Sequence, residues 1–239
     1  MTTTAEPTHP SAATADEHLA ELMADRSSLG ATLDRFAAVF TALSGLLGAA
    51  PDAELVDRVR AADQLAEWPV MDDGESLHGR SLLEESAQAQ EDATVVRRDY
   101  NRLFFGPERM IAAPYESVHR SEEHLVFERE TMLARAAYAE FGLAAPRLNK
   151  EPDDHIGLEL SFLATLCVRG MDALDDGDDA ELARDLRGIR SFLADHLLVW
   201  APACLTQAAE GATTHFYQGV AALGLGALTA AEDAFLRVP

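Results

Sequence analysis

Apolar residues recur at spacings of three and four along most of the chain. Leu33, Phe36, Val39, Phe40, Leu43 and Leu47 share one face of the segment from Leu29 to Leu47, the signature of an amphipathic helix. Pro51 and Asp52 open a second helix reaching about Leu65. After a loop at Pro69 to Gly74, Ser76 to Leu103 reads as helical with a break near Glu91, and Ser121 to Phe141 as a helix that stops at Gly142 and Pro146. Ile156, Leu160, Leu163, Cys167, Gly170 and Leu174 form a long stripe that ends in the acidic turn Asp175 to Asp179. Leu182, Leu186, Ile189, Leu193 and Leu197 mark the next helix, Trp200-Ala201-Pro202 a bend, and Phe216, Val220, Leu223 and Ala227 the last helix. The pattern predicts an all-α fold, a single compact domain of roughly eight to ten helices. We place it at residues 29–239, behind a flexible acidic tail, 1–28, with a possible first helix.

The period fails between Phe104 and Arg120. Two prolines and one glycine interrupt the stretch, yet Phe104, Phe105, Ile111 and Tyr115 would each gain from burial. An irregular segment this apolar is expected to pack across the helices and not to lie in solvent.

Glu151-Pro152-Asp153-Asp154-His155 precedes the Ile156 stripe. Proline suits a first helical turn, and aspartates favour the positive end of the helix dipole, so the helix is expected to start here. Three carboxylates and an imidazole in five residues, with Glu159 one turn after His155, exceed what a cap requires. Glu151, His155 and Glu159 could supply metal ligands or acid–base groups, which gives the alternative of a helical enzyme, but no further ligand stands out. The Glu-x-x-His at Glu116 and His119 falls in the irregular segment and not on a regular bundle helix, where a di-iron motif would need it. Neither a P-loop nor a Gly-x-Gly-x-x-Gly turn occurs, and no serine sits in a nucleophile elbow. No cofactor, metal or catalytic activity is expected.

Charge narrows the partners. The chain carries 41 acidic and 19 basic residues, a net −22, which disfavours nucleic acid and anionic membrane surfaces. A basic partner would be attracted. Cys167 and Cys204 lie in apolar helical patterns and read as reduced core residues. Met1 to Asp16, rich in Thr, Ala and Pro, has neither a basic region nor an apolar core and reads as a tail, not a secretion signal. Gly211 to Ala231 lacks charge but is too polar to span a bilayer. A cytoplasmic protein without stable membrane insertion is expected.

Three separated blocks carry a resemblance. Tyr100-Asn101-Arg102-Leu103-Phe104 with Gly106-Pro107 and Pro114-Tyr115-Glu116-Ser117-Val118 form the first, and Glu151-Pro152-Asp153-Asp154-His155 with Ile156, Glu159, Leu160, Phe162 and Leu163 the second. Phe192, His196, Leu197, Trp200 and Pro202, followed by Phe216-Tyr217, form the third. In order and separation they resemble the TorD/DmsD/NarJ family of redox-enzyme maturation chaperones, from about residue 30 to the C-terminus, with the Glu-Pro-x-Asp-His box the most specific element. The resemblance implies an all-helical cytoplasmic chaperone for the catalytic subunit of a molybdopterin oxidoreductase of the dimethyl-sulfoxide-reductase type. Such a chaperone binds the subunit's twin-arginine signal peptide and delays export until cofactor insertion. It also implies a binding region that includes Glu151, Pro152, Asp154, His155 and Glu159, with Tyr100, Tyr115 and Trp200 as neighbours. Carboxylates beside an apolar groove would suit two guanidiniums next to an apolar stretch. On that reading, replacing Asp154 and His155 with Ala weakens peptide binding without lowering the melting temperature. Guanine-nucleotide binding and domain-swapped dimers, associated with some members, have no counterpart in a motif of this sequence.

Overall fold

The computed structural model describes residues 12–71, 73–106, 110–121, 126, 129–146 and 152–237, with backbone alone for 12–16 and 18. Among these, α-helices account for the architecture: α1 (Ala12–Ala24), α2 (Arg26–Gly48), α3 (Ala53–Val59), α4 (Ala62–Ala66), α5 (Gly74–Gln88) and α6 (Ala93–Tyr100) come first. They are followed by α7 (Glu116–Arg120), α8 (Arg129–Glu140), α9 (Ile156–Asp176), α10 (Asp179–Phe192), α11 (Leu198–Gly211) and α12 (His215–Phe235). Nine of these described helices run eight residues or more, and α3, α4 and α7 are single short pieces. The only extended pairing among the described residues is one antiparallel bridge between Tyr115 and His155.

Two helix pairs hold the core. α2 lies along α9, and α12 along α5, with α10 on the far side of α9 and α11 beside α12. The apolar stripe of α2 is buried from Leu29 to Leu47, and so are Ile156, Leu160, Leu163 and Cys167 of α9. The helices approach unusually closely where both carry glycine. A Cβ on Gly157 would stand 2.8 Å from the Gly48 Cα, and one on Gly79 2.8 Å from the Gly219 carbonyl oxygen. Only hydrogen at those positions lets the backbones touch. Both cysteines are buried and free; burial pushes the Cys167 thiol far up and the Cys204 thiol up to about 12.

Two segments differ from the periodic reading. α6 continues through a π-helical turn, Asn101–Phe105, and α10 runs into α11 through another, Leu193–Leu197. The expected bend at Trp200-Ala201-Pro202 is thus taken up one turn earlier: Pro202 lies inside α11, and the wider π turn precedes it. A proline has no N–H for the preceding turn and its ring crowds the carbonyl four residues back, which a widened turn accommodates. The irregular segment crosses the helices as expected, with the Ala112 amide on the Leu103 carbonyl at 2.9 Å and the Ala113 carbonyl accepting from His119 Nε2 at 2.8 Å. Phe104 is buried, but Phe105 is not: the chain turns out at Gly106, whose φ is 80°, and leaves the Phe105 ring 74% exposed. The tail expected before residue 29 contains α1, and residues 1–11 lie outside the described residues.

Candidate functional site

α9 begins later than the sequence suggests. Its N-cap is His155, whose Nδ1 accepts the Gly157 amide at 3.0 Å, so Pro152, Asp153 and Asp154 form a turn outside the helix. Their carboxylates serve tertiary partners and not the helix dipole. Asp154, fully buried, accepts the Ser117 amide at 2.7 Å through one oxygen and the Thr131 hydroxyl at 2.7 Å through the other. Asp153, also fully buried, meets the Arg135 guanidinium at 2.6 and 3.3 Å, and its carbonyl accepts from the Tyr138 hydroxyl at 2.9 Å. Thr131, Arg135 and Tyr138 are one face of α8, which clamps the turn from behind. From the other side, the Glu116 amide reaches the Asp154 carbonyl and the Ile156 amide the Pro114 carbonyl, at 3.0 and 2.9 Å.

Behind this turn lies a buried polar cluster. Glu116 pairs with Arg120 through one carboxylate oxygen and accepts from His196 Nδ1 at 2.8 Å through the other. Glu159 accepts from the Trp200 indole at 3.1 Å, while its second oxygen has no hydrogen-bond partner among the described residues. Burial first, and the nearby Glu116 and Asp154 charges second, hold the Glu159 carboxyl well above the usual range. A folded value raised above the unfolded one makes the contribution of this group to stability full below the unfolded value, and that contribution declines as pH rises toward the raised folded value. Glu159→Gln, which keeps the shape and the acceptor for Trp200, should flatten this decline. Chemical denaturation of both proteins between about pH 5 and 8 measures it, and parallel profiles would show that Glu159 is ionised in the fold.

On the outer side, the same turn lines a pocket of about 310 Å³. Tyr100, Phe104, Phe105, Tyr115 and His155 form its walls, and Gly48 and Gly157 bring main chain to its floor. Ser44 Oγ donates to the Gly157 carbonyl at 2.7 Å, fixing α2 against the first turn of α9. The Tyr115 and His155 rings meet edge to face at 5.1 Å. Tyr100 donates to the Leu47 carbonyl at 3.3 Å, and burial together with Tyr115 raises its hydroxyl to about 12.

Of the residues singled out from the sequence, Tyr100, Tyr115 and His155 thus meet in one pocket. Asp154, Glu159, Pro152 and Trp200 are buried, Trp200 at 1% exposure with its ring 5.3 Å from His119. Glu151 lies outside the described residues. Glu159 faces Trp200 and not His155, and among the described residues no three metal-ligating side chains converge. Phe105, Ser44 and the two floor glycines were not foreseen as site residues. Phe105 gave a signal, an aromatic pair in a stretch without period.

A model of the family described as nitrate reductase delta subunit matches residues 69–206, which include both walls of this pocket. The chain belongs to that family. Among the family's relatives, the probable Tat proofreading chaperone DmsD of Haemophilus influenzae is 28% identical over 192 residues, 79% of this chain and 85% of its own. The Tat proofreading chaperone DmsD of Salmonella typhi is 28% identical over 212 residues, covering 86% and 93%. The chaperone protein TorD of Aliivibrio fischeri is 26% identical over 186 residues, covering 74% and 83%. These family members are named as chaperones. No described helix is long and apolar enough to cross a membrane.

Proposed function

We propose that this protein is a cytoplasmic chaperone for the catalytic subunit of a molybdopterin oxidoreductase of the dimethyl-sulfoxide-reductase type. It binds that subunit's twin-arginine signal peptide at the Tyr115/His155 pocket and holds back export until the cofactor is inserted. The observation that carries the reading is the exposed Phe105 ring at the mouth of an aromatic pocket built on the Pro-Asp-Asp-His turn. A signal peptide offers guanidiniums beside an apolar stretch. Aromatic faces accept both, the first by cation–π contact and the second by burial. Asp153 and Asp154 of the box, and Glu159 beyond it, are engaged inside the protein and act as framework; the aromatic walls and the His155 ring are what a peptide would meet.

Covering an exposed phenylalanine is worth on the order of 1.5–3 kcal/mol, or roughly ten- to a hundredfold in affinity. Phe105→Ser should therefore weaken binding of the client's signal peptide by about that factor while leaving the melting temperature in place. The client is identified first, by mass spectrometry of what co-purifies with the tagged protein from its host. Calorimetric titration of its synthetic leader then supplies the constant. An unchanged affinity in folded Phe105→Ser would remove this pocket from the binding site.

A further inference from the structure

A second pocket, of about 330 Å³, opens between α8 and α10 and shares no residue with the one above. Its walls are the rings of Phe141, Phe162 and Phe192. Gly188 shapes it: a Cβ there would come within 2.9 Å of Phe141 Cε2 and Leu166 Cδ1, so only glycine lets Phe141 close against α10.

The side chains that line this pocket bring acceptors, and two guanidiniums of the protein stand beside them, Arg184 donating to the Glu140 carbonyl and Arg120 to the Asp195 carbonyl. The Glu140 and Asp195 side chains line it, exposed, and neither carboxylate has a hydrogen-bond or ion-pair partner among the described residues. The Ser191 hydroxyl donates to the Gly188 carbonyl at 3.2 Å, which leaves its lone pairs. His196 is 8% exposed, stacked on Phe192 at 4.6 Å, with Nδ1 committed to Glu116 at 2.8 Å. Its Nε2 has no partner among the described residues. The aromatic wall already carries one cation: the Arg184 guanidinium carbon lies 4.9 Å from the Phe141 centroid.

We propose that this pocket receives an arginine side chain from a basic segment of a partner polypeptide. Carboxylates at the mouth pair with the guanidinium, the apolar wall receives its methylene stem, and the Ser191 hydroxyl accepts one of its remaining N–H groups. A net charge of −22 favours the encounter. The inference is independent of the Tyr115/His155 reading, and a probe that is no signal peptide tests it.

The probe is N-acetyl-arginine methylamide, titrated into the full-length ¹⁵N-labelled protein, with N-acetyl-citrulline methylamide as its uncharged counterpart. Saturable amide shifts are expected at Glu140, Gly188, Ser191 and Asp195 with arginine and not with citrulline. The double variant E140Q/D195N alters only exposed carboxylates and should bind about tenfold more weakly or worse with its melting temperature unchanged. Ser191→Phe keeps both carboxylates but fills the cavity, and should abolish the shifts. Equal responses to both probes, shifts gathered elsewhere on the protein, or undiminished affinity in either variant would each overturn the assignment.

Discussion

Asp154→Ala is expected to destabilise the protein by about 3–5 kcal/mol, because it leaves two buried donors with no acceptor. The Ser117 amide and the Thr131 hydroxyl both point at this carboxylate at 2.7 Å, and no water reaches a fully buried group to replace it. The loss is a large part of the 5–15 kcal/mol that a typical domain has. Asp154→Asn should cost less, since the amide oxygen keeps one of the two donors. Denaturant titration of the three proteins would show that order, and an Ala variant within about 1 kcal/mol of the parent would mean that the box is not clamped as described. The result bears on how the box is tested. The sequence led us to expect that removing Asp154 and His155 would affect binding alone; the structure replaces that expectation, because loss of Asp154 loosens the turn that carries the pocket. Phe105 probes contact, and Asp154 probes framework.

A second large effect is expected at Asp99. This buried carboxylate holds the start of α12: one oxygen accepts the Thr213 hydroxyl at 2.9 Å and Arg102 at 2.8 Å, and the other accepts the Thr213 amide at 2.9 Å and both the Thr214 amide and hydroxyl at 2.8 Å. Burial works against its ionisation, but hydrogen bonds from Arg102, Thr214 and Thr213 outweigh burial and hold the carboxyl below its usual value. A depressed folded pKa stabilises above the unfolded value and is lost as pH falls through the folded one. Asp99→Ala should therefore cost about 3–5 kcal/mol near neutrality, with α12 the first element to lose protection in hydrogen exchange. Asp99→Asn should blunt the loss of stability below about pH 4, where the parent carboxyl takes up its proton. An acid limb identical in parent and Asn variant would place the acid sensitivity elsewhere.

The parts of the fold that were legible in the sequence are those governed by periodic burial. The stripe of α2 is buried residue for residue as spaced, and that of α9 from Ile156 to Gly170 with Cys167 inside it, while Leu174 at its end is half-buried and Cys204 is buried in α11. What the period could not show depends on contacts from distant elements. The start of α9 moved from the box to Ile156 because Asp153 and Asp154 find better partners on α8 and α7 than at a helix end. α8 offered no visible reason to place Thr131, Arg135 and Tyr138 at a site. The π turns add a residue to the helical repeat without a breaker where they occur, so the apolar pattern runs through them. Phe105 inverted its expected burial for a local reason, the turn at Gly106, which commits Phe104 to the core and sends its neighbour outward. Of the candidate site, Tyr100, Tyr115 and His155 were legible through the family resemblance; their meeting in one pocket was not.

The contact between Gly48 and Gly157 has a consequence for how such a site can diverge. Any residue larger than glycine at position 157 would drive α2 from α9, whereas a Cβ on Gly48 would meet the Gly157 Cα at an ordinary 3.9 Å. Gly157 is therefore closed to substitution, and change falls on Gly48 and on the lining side chains Phe105, Tyr115, Leu158 and Ser161. A lineage can alter which ligand it prefers at those few positions while the helical frame beneath them is inherited unchanged.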